Sequence, residues 1–127
     1  MKTISFIQPS RNNLKYLKWS YNSIRKNLGY RHEICMADDA SDDGTWMWMN
    51  KIADKDKNVK IHRNYGPKRL GHTILYDTLI NEYATNDIVM IYHADMYACP
   101  GMDEEVLKHL ERGKVVSATR IEPPLHP

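Results

Sequence analysis

Two short runs hold residues that can do chemistry. The first is Asp38-Asp39, which directly follows the apolar run of residues 33–37. Adjacent carboxylates repel one another when ionised, so a buried strand end gains no stability from them. A carboxylate placed there can accept hydrogen bonds from a nucleobase N–H and from a ribose hydroxyl. Asp and Ser also begin helices, and residues 38–44 suit that structural use equally well. The second run is His93-Ala94-Asp95, after the most apolar stretch of the chain. A carboxylate there can hold Mg²⁺ or Mn²⁺, which take oxygen ligands and keep waters and substrate phosphates in their shell. His93 can be a second ligand or a partner behind the ligand. A solvated strand end is the plainer alternative.

A third run, residues 66–73, has the glycine spacing of a phosphate-cradling loop, but His72 stands where the lysine belongs and Pro67 stiffens the turn. Lys68 and Arg69 can still meet a diphosphate as mobile cations; otherwise they form a solvated basic loop. Trp46, Trp48 and the nearby methionines read as packing. There is no GxGxxG and no Cys/His spacing suited to zinc, and neither Ser10 nor Ser41 has a convincing histidine partner for nucleophilic catalysis.

Positioning these runs requires alternating elements. Residues 3–7 are a β-rich run that Pro9 ends, and Asn12 or Asn13 can cap the helix that follows. Leu14, Leu17, Tyr21, Ile24 and Leu28 recur at three and four, the period of an amphipathic helix, with Gly29 as its C-cap. Residues 33–37 form a second strand, and Trp46, Met49 and Ala53 mark a second helix. Residues 59–62 form a third strand, residues 63–71 an irregular loop, and Ile74 to Tyr83 a third helix. Residues 88–92 are continuously apolar, as in a central strand covered on both faces. Residues 103–112 form a helix, acidic at its start and basic at its end. Residues 115–121 are a last strand. This β-α alternation predicts a three-layer, doubly wound α/β domain with a mainly parallel sheet of four strands extended by the last. Ligands of such sheets bind at the carboxyl ends of the strands. That rule singles out the residues after Ile7, Ala37, His62 and Tyr92.

The 127 residues fit one domain, spanning 1–127, large enough to bury a core. A net charge of +2 with no long basic run argues against nucleic-acid or membrane-surface binding. Two cysteines, Cys35 and Cys99, do not make a disulfide framework and point to a reducing, cytoplasmic setting. The N-terminal apolar run is too short for a signal peptide. No stretch approaches the roughly 20 apolar residues that span a bilayer.

Taken in order, these segments resemble the inverting glycosyltransferases of family 2, which have the GT-A fold. The likeness runs from Ile4 to about Ile121. ISFIQPSRN resembles the family's opening strand and Pro-Thr-x-Asn turn. EICMADDASDDGT resembles its second strand, Asp-Asp-x-Ser pair and Asp-Gly-Thr helix entry. IVMIYHADMYACP resembles its DxD strand, including the proline five residues past the second Asp. The resemblance implies a nucleotide-diphosphate sugar, probed best as UDP, and a divalent metal, Mn²⁺ or Mg²⁺. Pro9, Ser10 and Arg11 would flank the base. Asp39 would bond it, with Asp38 close by. Ala94 would lie along the nucleotide, and Asp95 would bind the metal with His93. His93 replaces the first Asp of the motif, Met96 stands where a further Asp is common, and Arg11 stands where an aromatic often stacks on the base. A guanidinium plane can stack in its place. The family's catalytic base lies in an acceptor-binding half that is short or absent here, and neither Glu122 nor His126 matches it. Two functions follow: a metal-dependent inverting glycosyltransferase with an unidentified acceptor, or a nucleotide-sugar-binding module completed by a partner chain or a second copy. A nucleotidyltransferase fits less well, because its glycine- and lysine-rich first loop is missing.

Overall fold

The structure is a computed structural model that describes residues 2–117. Four parallel strands, β1 (Ile4–Ser10), β2 (Glu33–Asp39), β3 (Val59–Asn64) and β4 (Ile88–Ile91), lie in the order β3-β2-β1-β4. The chain winds outward from β1 to β3, then returns past β1 to add β4. The winding direction reverses between β1 and β4, where a parallel α/β sheet opens a crevice.

Helices cover both faces. Ile4, Phe6, Ile34 and Met36 pack against Leu17, Tyr21, Ile24 and Leu28 of α1 (Leu14–Leu28) and Met49 of α2 (Thr45–Lys55). Met102 and Leu107 of α4 (Met102–His109) join the same core. On the other face, Ile7, Cys35 and Ala37 meet Leu75 of α3 (His72–Thr78) and Leu79 of the π-helical turn Leu79–Tyr83 that continues it. The expected doubly wound α/β architecture is therefore present. Trp46 and Trp48 serve packing, as expected: Trp48 meets Tyr21 edge to face at 5.7 Å, and Trp46 lies under Arg63. Among the described residues, no helix is long and apolar enough to cross a membrane.

Several expectations are corrected. Pro9 does not end β1, which runs on to Ser10 and pairs Pro9 with Ala37. Ile7 accepts a bond from the Tyr92 N–H, so residue 7, and by alternation residue 9, turns its main-chain groups toward β4. The β4 pairing stops at Ile7, so the missing N–H of Pro9 removes no ladder bond. Among the described residues, 88–92 do not form a central strand. β4 is an edge there, and its Val89 and Ile91, on the same face as Ile7, are exposed. The strands buried along their whole length are β1 and β2. Of the last expected strand, residues 115–117 are irregular, and residues 118–121 lie outside the described residues. Neither Asn12 nor Asn13 caps α1 with its side chain. Asp43 does so from the next loop, accepting the Leu14 N–H at 3.1 Å and the Thr45 N–H at 3.2 Å, so one carboxylate starts two helices. Gly29 ends α1 as expected, with a φ of 86°.

The amino ends of the strands are tied by buried charges. Asp56 accepts from Tyr21 Oη at 2.7 Å and from Arg25 Nε at 2.6 Å. Arg25 also donates to the carbonyls of Gly29 and His32, joining the end of α1 to the start of β2. Glu33 accepts from Ser5 Oγ, from the Thr85 N–H and Oγ1, and pairs with Lys60 Nζ at 2.6 Å. Burial alone would push the Glu33 carboxyl up. The Lys60 ammonium and the Ser5 and Thr85 bonds outweigh it and hold the group at about 2, below its ordinary 4.5. A carboxyl depressed in the folded state contributes stability that is full above its unfolded value and is lost as pH falls through the folded one. Wild type is therefore expected to lose on the order of 2–3 kcal/mol between about pH 4.5 and 2 through this group. Glu33→Gln should be less stable at pH 7 and show a flatter stability profile over that range, as read by urea unfolding at stepped pH.

Candidate functional site

The crevice at the β1–β4 reversal is a cleft of about 430 Å³. Three segments line it: Pro9, Ser10, Arg11, Asn12 and Asn13 after β1; Arg69 and His72 before and at the start of α3; and His93, Ala94 and Asp95 after β4. A wider hollow of about 1000 Å³ follows the β4 edge and the segment after α4, and holds none of the residues singled out by sequence. The structure thus gathers Pro9, Ser10, Arg11, Arg69, His93, Ala94 and Asp95 into one place. Asp38, Asp39 and Lys68 do not line it.

The two adjacent aspartates diverge because neighbouring strand residues point to opposite faces. Asp39 points toward the α3 side and is almost fully buried. Its Oδ1 accepts from Asn64 Nδ2 at 2.9 Å and the Leu70 N–H at 2.8 Å, and its Oδ2 accepts the Gly71 N–H at 2.9 Å. Asn64 in turn accepts the Gly66 N–H and donates to the Lys68 carbonyl. Gly66 passes so close to β2 that an added Cβ would lie 3.2 Å from that of Ala40 at a φ of +85°, so the loop requires glycine there. Burial pushes the Asp39 carboxyl up, but the Asn64, Leu70 and Gly71 bonds and the Arg11 charge bring it below its ordinary value. Asp39 therefore holds the 64–71 loop that presents Arg69 and His72 to the cleft.

Asp38 points the other way. Its Oδ1 accepts the Ser41 N–H at 3.1 Å, and its Oδ2 lies 3.3 Å from Arg63 Nε without hydrogen-bond alignment. The Arg63 guanidinium is stacked over Tyr65 at 5.0 Å and Trp46 at 5.6 Å. Asp38 is thus enclosed beneath the helix-entry turn, the structural use its sequence context also allowed.

Arg11 lies across the end of β2, its Nη1 donating to the carbonyls of Asp39 at 2.7 Å and Ala40 at 3.1 Å. Ala40 turns these carbonyls together by adopting a φ of +56°, unusual for a residue with a side chain. Asn12 and the next loop close the same corner: Asn12 N–H donates to Ser41 Oγ, and Asn12 Oδ1 accepts the Asp42 N–H. Ser10 Oγ is buried at the cleft floor without a hydrogen-bond partner among the described residues.

Across the cleft, His93 and Asp95 are exposed, and the Asp95 carboxylate has no hydrogen bond or ion pair among the described residues. Tyr76, from α3, lies between two imidazoles. It is edge-on to His72 at 6.2 Å and to His93 at 6.4 Å, with its hydroxyl 3.4 Å from His93 Nδ1. Burial, and then the Asp95 charge, raise the Tyr76 phenol, which stays protonated. Among the described residues no group of three or more His, Cys, Asp or Glu side chains is placed to hold a metal. Asp95 and His93 instead offer one oxygen and one nitrogen donor on an open side, which fits a cation whose other ligands come from a bound diphosphate and water. His72 and Tyr76 escaped the sequence reading. His72 is the residue that made the 66–73 spacing fail as a phosphate loop, and that failure hid its position at the head of a helix facing the site.

The loop-holding role of Asp39 has a direct consequence. Asp39→Asn turns one acceptor oxygen into an N–H₂ group facing buried donors, and is expected to cost about 1–3 kcal/mol. Hydrogen exchange should speed at the Leu70 and Gly71 amides while the β1–β2 amides remain protected, measured by mass spectrometry on both proteins.

The family model for glycosyl transferase family 2 matches residues 5–124. No curated protein matches the chain significantly in sequence. Solved structures that share the fold include the mannosyltransferase PcManGT from Pyrobaculum calidifontis in complex with GDP-Man and Mn²⁺. Its TM-score is 0.72 at 22% identity, over 88% of this chain and 33% of that one. S. aureus TarS 1-349 follows with a TM-score of 0.67 at 22% identity, over 85% and 32%. The same protein in complex with UDP gives 0.66 at 21%, over 93% and 38%. The chain spans about a third of the length of these structures. With the family's model covering nearly all of it and the β1–β4 crevice formed by the expected segments, this chain belongs to glycosyl transferase family 2.

Proposed function

We propose that this chain is the nucleotide-sugar-binding part of a metal-dependent, inverting glycosyltransferase, with a UDP-sugar as donor. The observation that carries this reading is the convergence of Arg69, His93 and Asp95 on one cleft at the strand reversal. A diphosphate needs cations, and the cleft offers the Arg69 guanidinium directly and, through Asp95 and His93, ligands for a divalent ion. When bound, that ion would neutralise charge on the leaving diphosphate. Pro9, Ser10 and Arg11 form the wall on the base side. In this reading Asp39 acts by fixing the loop that carries Arg69, both of its carboxylate oxygens being occupied by the chain itself. Lys68 is held by its carbonyl to Asn64 and supports the same loop. The likeness to a structure with GDP-Man and Mn²⁺ and to one with UDP supports a nucleotide and a divalent ion. Two free cysteines, one of them exposed, agree with a reducing cytoplasmic setting.

One observation favours a module completed by further chain or by a partner. Asp95 is the sole carboxylate among the described cleft-lining residues, and a metal would occupy it. A base that deprotonates the acceptor must then come from elsewhere. Glu122 and His126 lie outside the described residues.

Asp95→Asn tests the reading. The side chain is exposed and unpartnered, so stability should change by less than about 0.5 kcal/mol. The amide binds a divalent ion poorly, so UDP affinity in the presence of Mn²⁺ should fall at least about tenfold, to the level seen without metal. Calorimetric titration with and without Mn²⁺ reads this out. An unchanged metal response in the variant would show that Asp95 is not the ligand.

A further inference from the structure

The outer face of α1 is basic and aromatic. Lys15, Lys18, Trp19, Asn22 and Lys26 recur at three and four, opposite the buried stripe of Leu17, Tyr21, Ile24 and Leu28, and all five are exposed. The helix carries four basic residues and no acidic one. Arg25 is buried and paired with Asp56, whereas none of the three lysines has an ion pair among the described residues. Lys15 lies over the exposed ring of Tyr16 at 5.8 Å. This placement of charge costs the helix stability. Lys15 and Lys18 are like charges three positions apart, and Lys15 stands in a first turn without acidic residues, where the positive end of the macrodipole repels a cation. A helix face that serves solvation alone gains from mixed signs, with an acidic residue four positions ahead of a lysine.

An exposed aromatic pair adjoins the lysines. Trp19 and Tyr97 pack with ring centroids 5.1 Å apart, and each is nearly half exposed. Tyr97 is held there by α1: Asn27 Nδ2 donates to its hydroxyl at 3.2 Å and to the Ala98 carbonyl at 2.7 Å, and the Ala98 N–H donates to Ser23 Oγ at 2.8 Å. Indole and phenol rings are favoured at the headgroup level of a bilayer, where an apolar body and a polar tip are both accommodated. Unpaired ammonium groups around them are attracted to anionic headgroups. The face begins at the rim of the cleft, since Asn13 lines the cleft just before α1 and Tyr97 lies two residues past Asp95.

We propose that the outer face of α1, with Lys15, Lys18, Lys26, Trp19 and Tyr97, docks the chain on an anionic lipid bilayer surface and holds the cleft beside the headgroups. The whole-chain charge of +2, which argued against a membrane surface, averages over this face. Docking is peripheral: the lysines supply the long-range attraction, and the ring pair enters the headgroup layer.

The test uses the full chain and co-sedimentation with vesicles of phosphatidylcholine and phosphatidylserine in equal parts, against vesicles of phosphatidylcholine alone. Wild type is expected to bind the anionic vesicles at least about tenfold more tightly than the neutral ones, and to be released as salt rises. One lysine at an anionic surface is worth about fivefold, so Lys15→Gln, Lys18→Gln and Lys26→Gln together should weaken binding about a hundredfold. That variant should melt no lower than wild type, because it removes a cation from the first turn of α1, and its UDP titration should match wild type. Lipids brominated near the headgroup should quench wild-type tryptophan fluorescence. Trp19→Phe should remove that quenching, since Trp46 and Trp48 belong to α2. Equal binding to both kinds of vesicle, wild-type binding by the triple lysine variant, or quenching that survives Trp19→Phe overturns the proposal. So does binding to polyglutamate or to an RNA oligonucleotide that matches the anionic vesicles, which would assign the face to a dissolved polyanion.

Discussion

The carboxylate of Asp39 is the interaction on which the cleft depends. It ends β2, is buried, and collects three hydrogen bonds, one from Asn64 at the end of β3 and two from the main chain of the loop that follows. That loop crosses from β3 to α3 and carries Arg69 and His72 to the far side of β1. A buried carboxylate without partners would cost several kcal/mol, so the loop and the aspartate are stable only together. Arg11 adds a second tie, because its guanidinium binds the carbonyls that Ala40 turns together.

A division of labour along the strands follows. The middles of β1 and β2 are buried on both faces, and the side chains there are mainly apolar. Charge is confined to the two ends. At the amino ends, Glu33, Lys60, Arg25 and Asp56 are paired with one another and with main-chain groups, which locks the strands in register. His32 and Asp103 extend this to α4: His32 accepts the Ile4 N–H at Nδ1, and its Nε2 lies 2.6 Å from Asp103. At the carboxyl ends the pairing is incomplete. Asp95 has no partner among the described residues, and Ser10 Oγ is buried without one. Polar groups left open at one end of an otherwise satisfied sheet are where a ligand's own polar groups can be accommodated.

The β4 edge carries a related asymmetry. Ile88 and Met90 face the core, while Val89 and Ile91, on the same face as Ile7, are exposed. An apolar run of that length is suited to cover on both sides.

Much of this was legible in the residues themselves. The spacing of Leu17, Tyr21, Ile24 and Leu28 determined α1 and its buried face, and the order of strands and helices determined a parallel, doubly wound sheet. The segments after β1 and β4 were identifiable as cleft-forming because ligand sites follow strand ends. What the sequence left open was direction and neighbourhood. Asp38 and Asp39 are adjacent in sequence, yet the pleat sends them to opposite faces, and only the packed loops show that one holds the 64–71 segment and the other lies against Arg63. Pro9 reads locally as a strand breaker, but whether its missing N–H matters depends on how far β4 extends. His72, Tyr76 and His93 are brought together only when α3 lies beside the turn after β4. Periodicity and local chemistry fix what a residue can do within a few neighbours, whereas contacts between residues dozens of positions apart exist only once the sheet order and the helix packing are set.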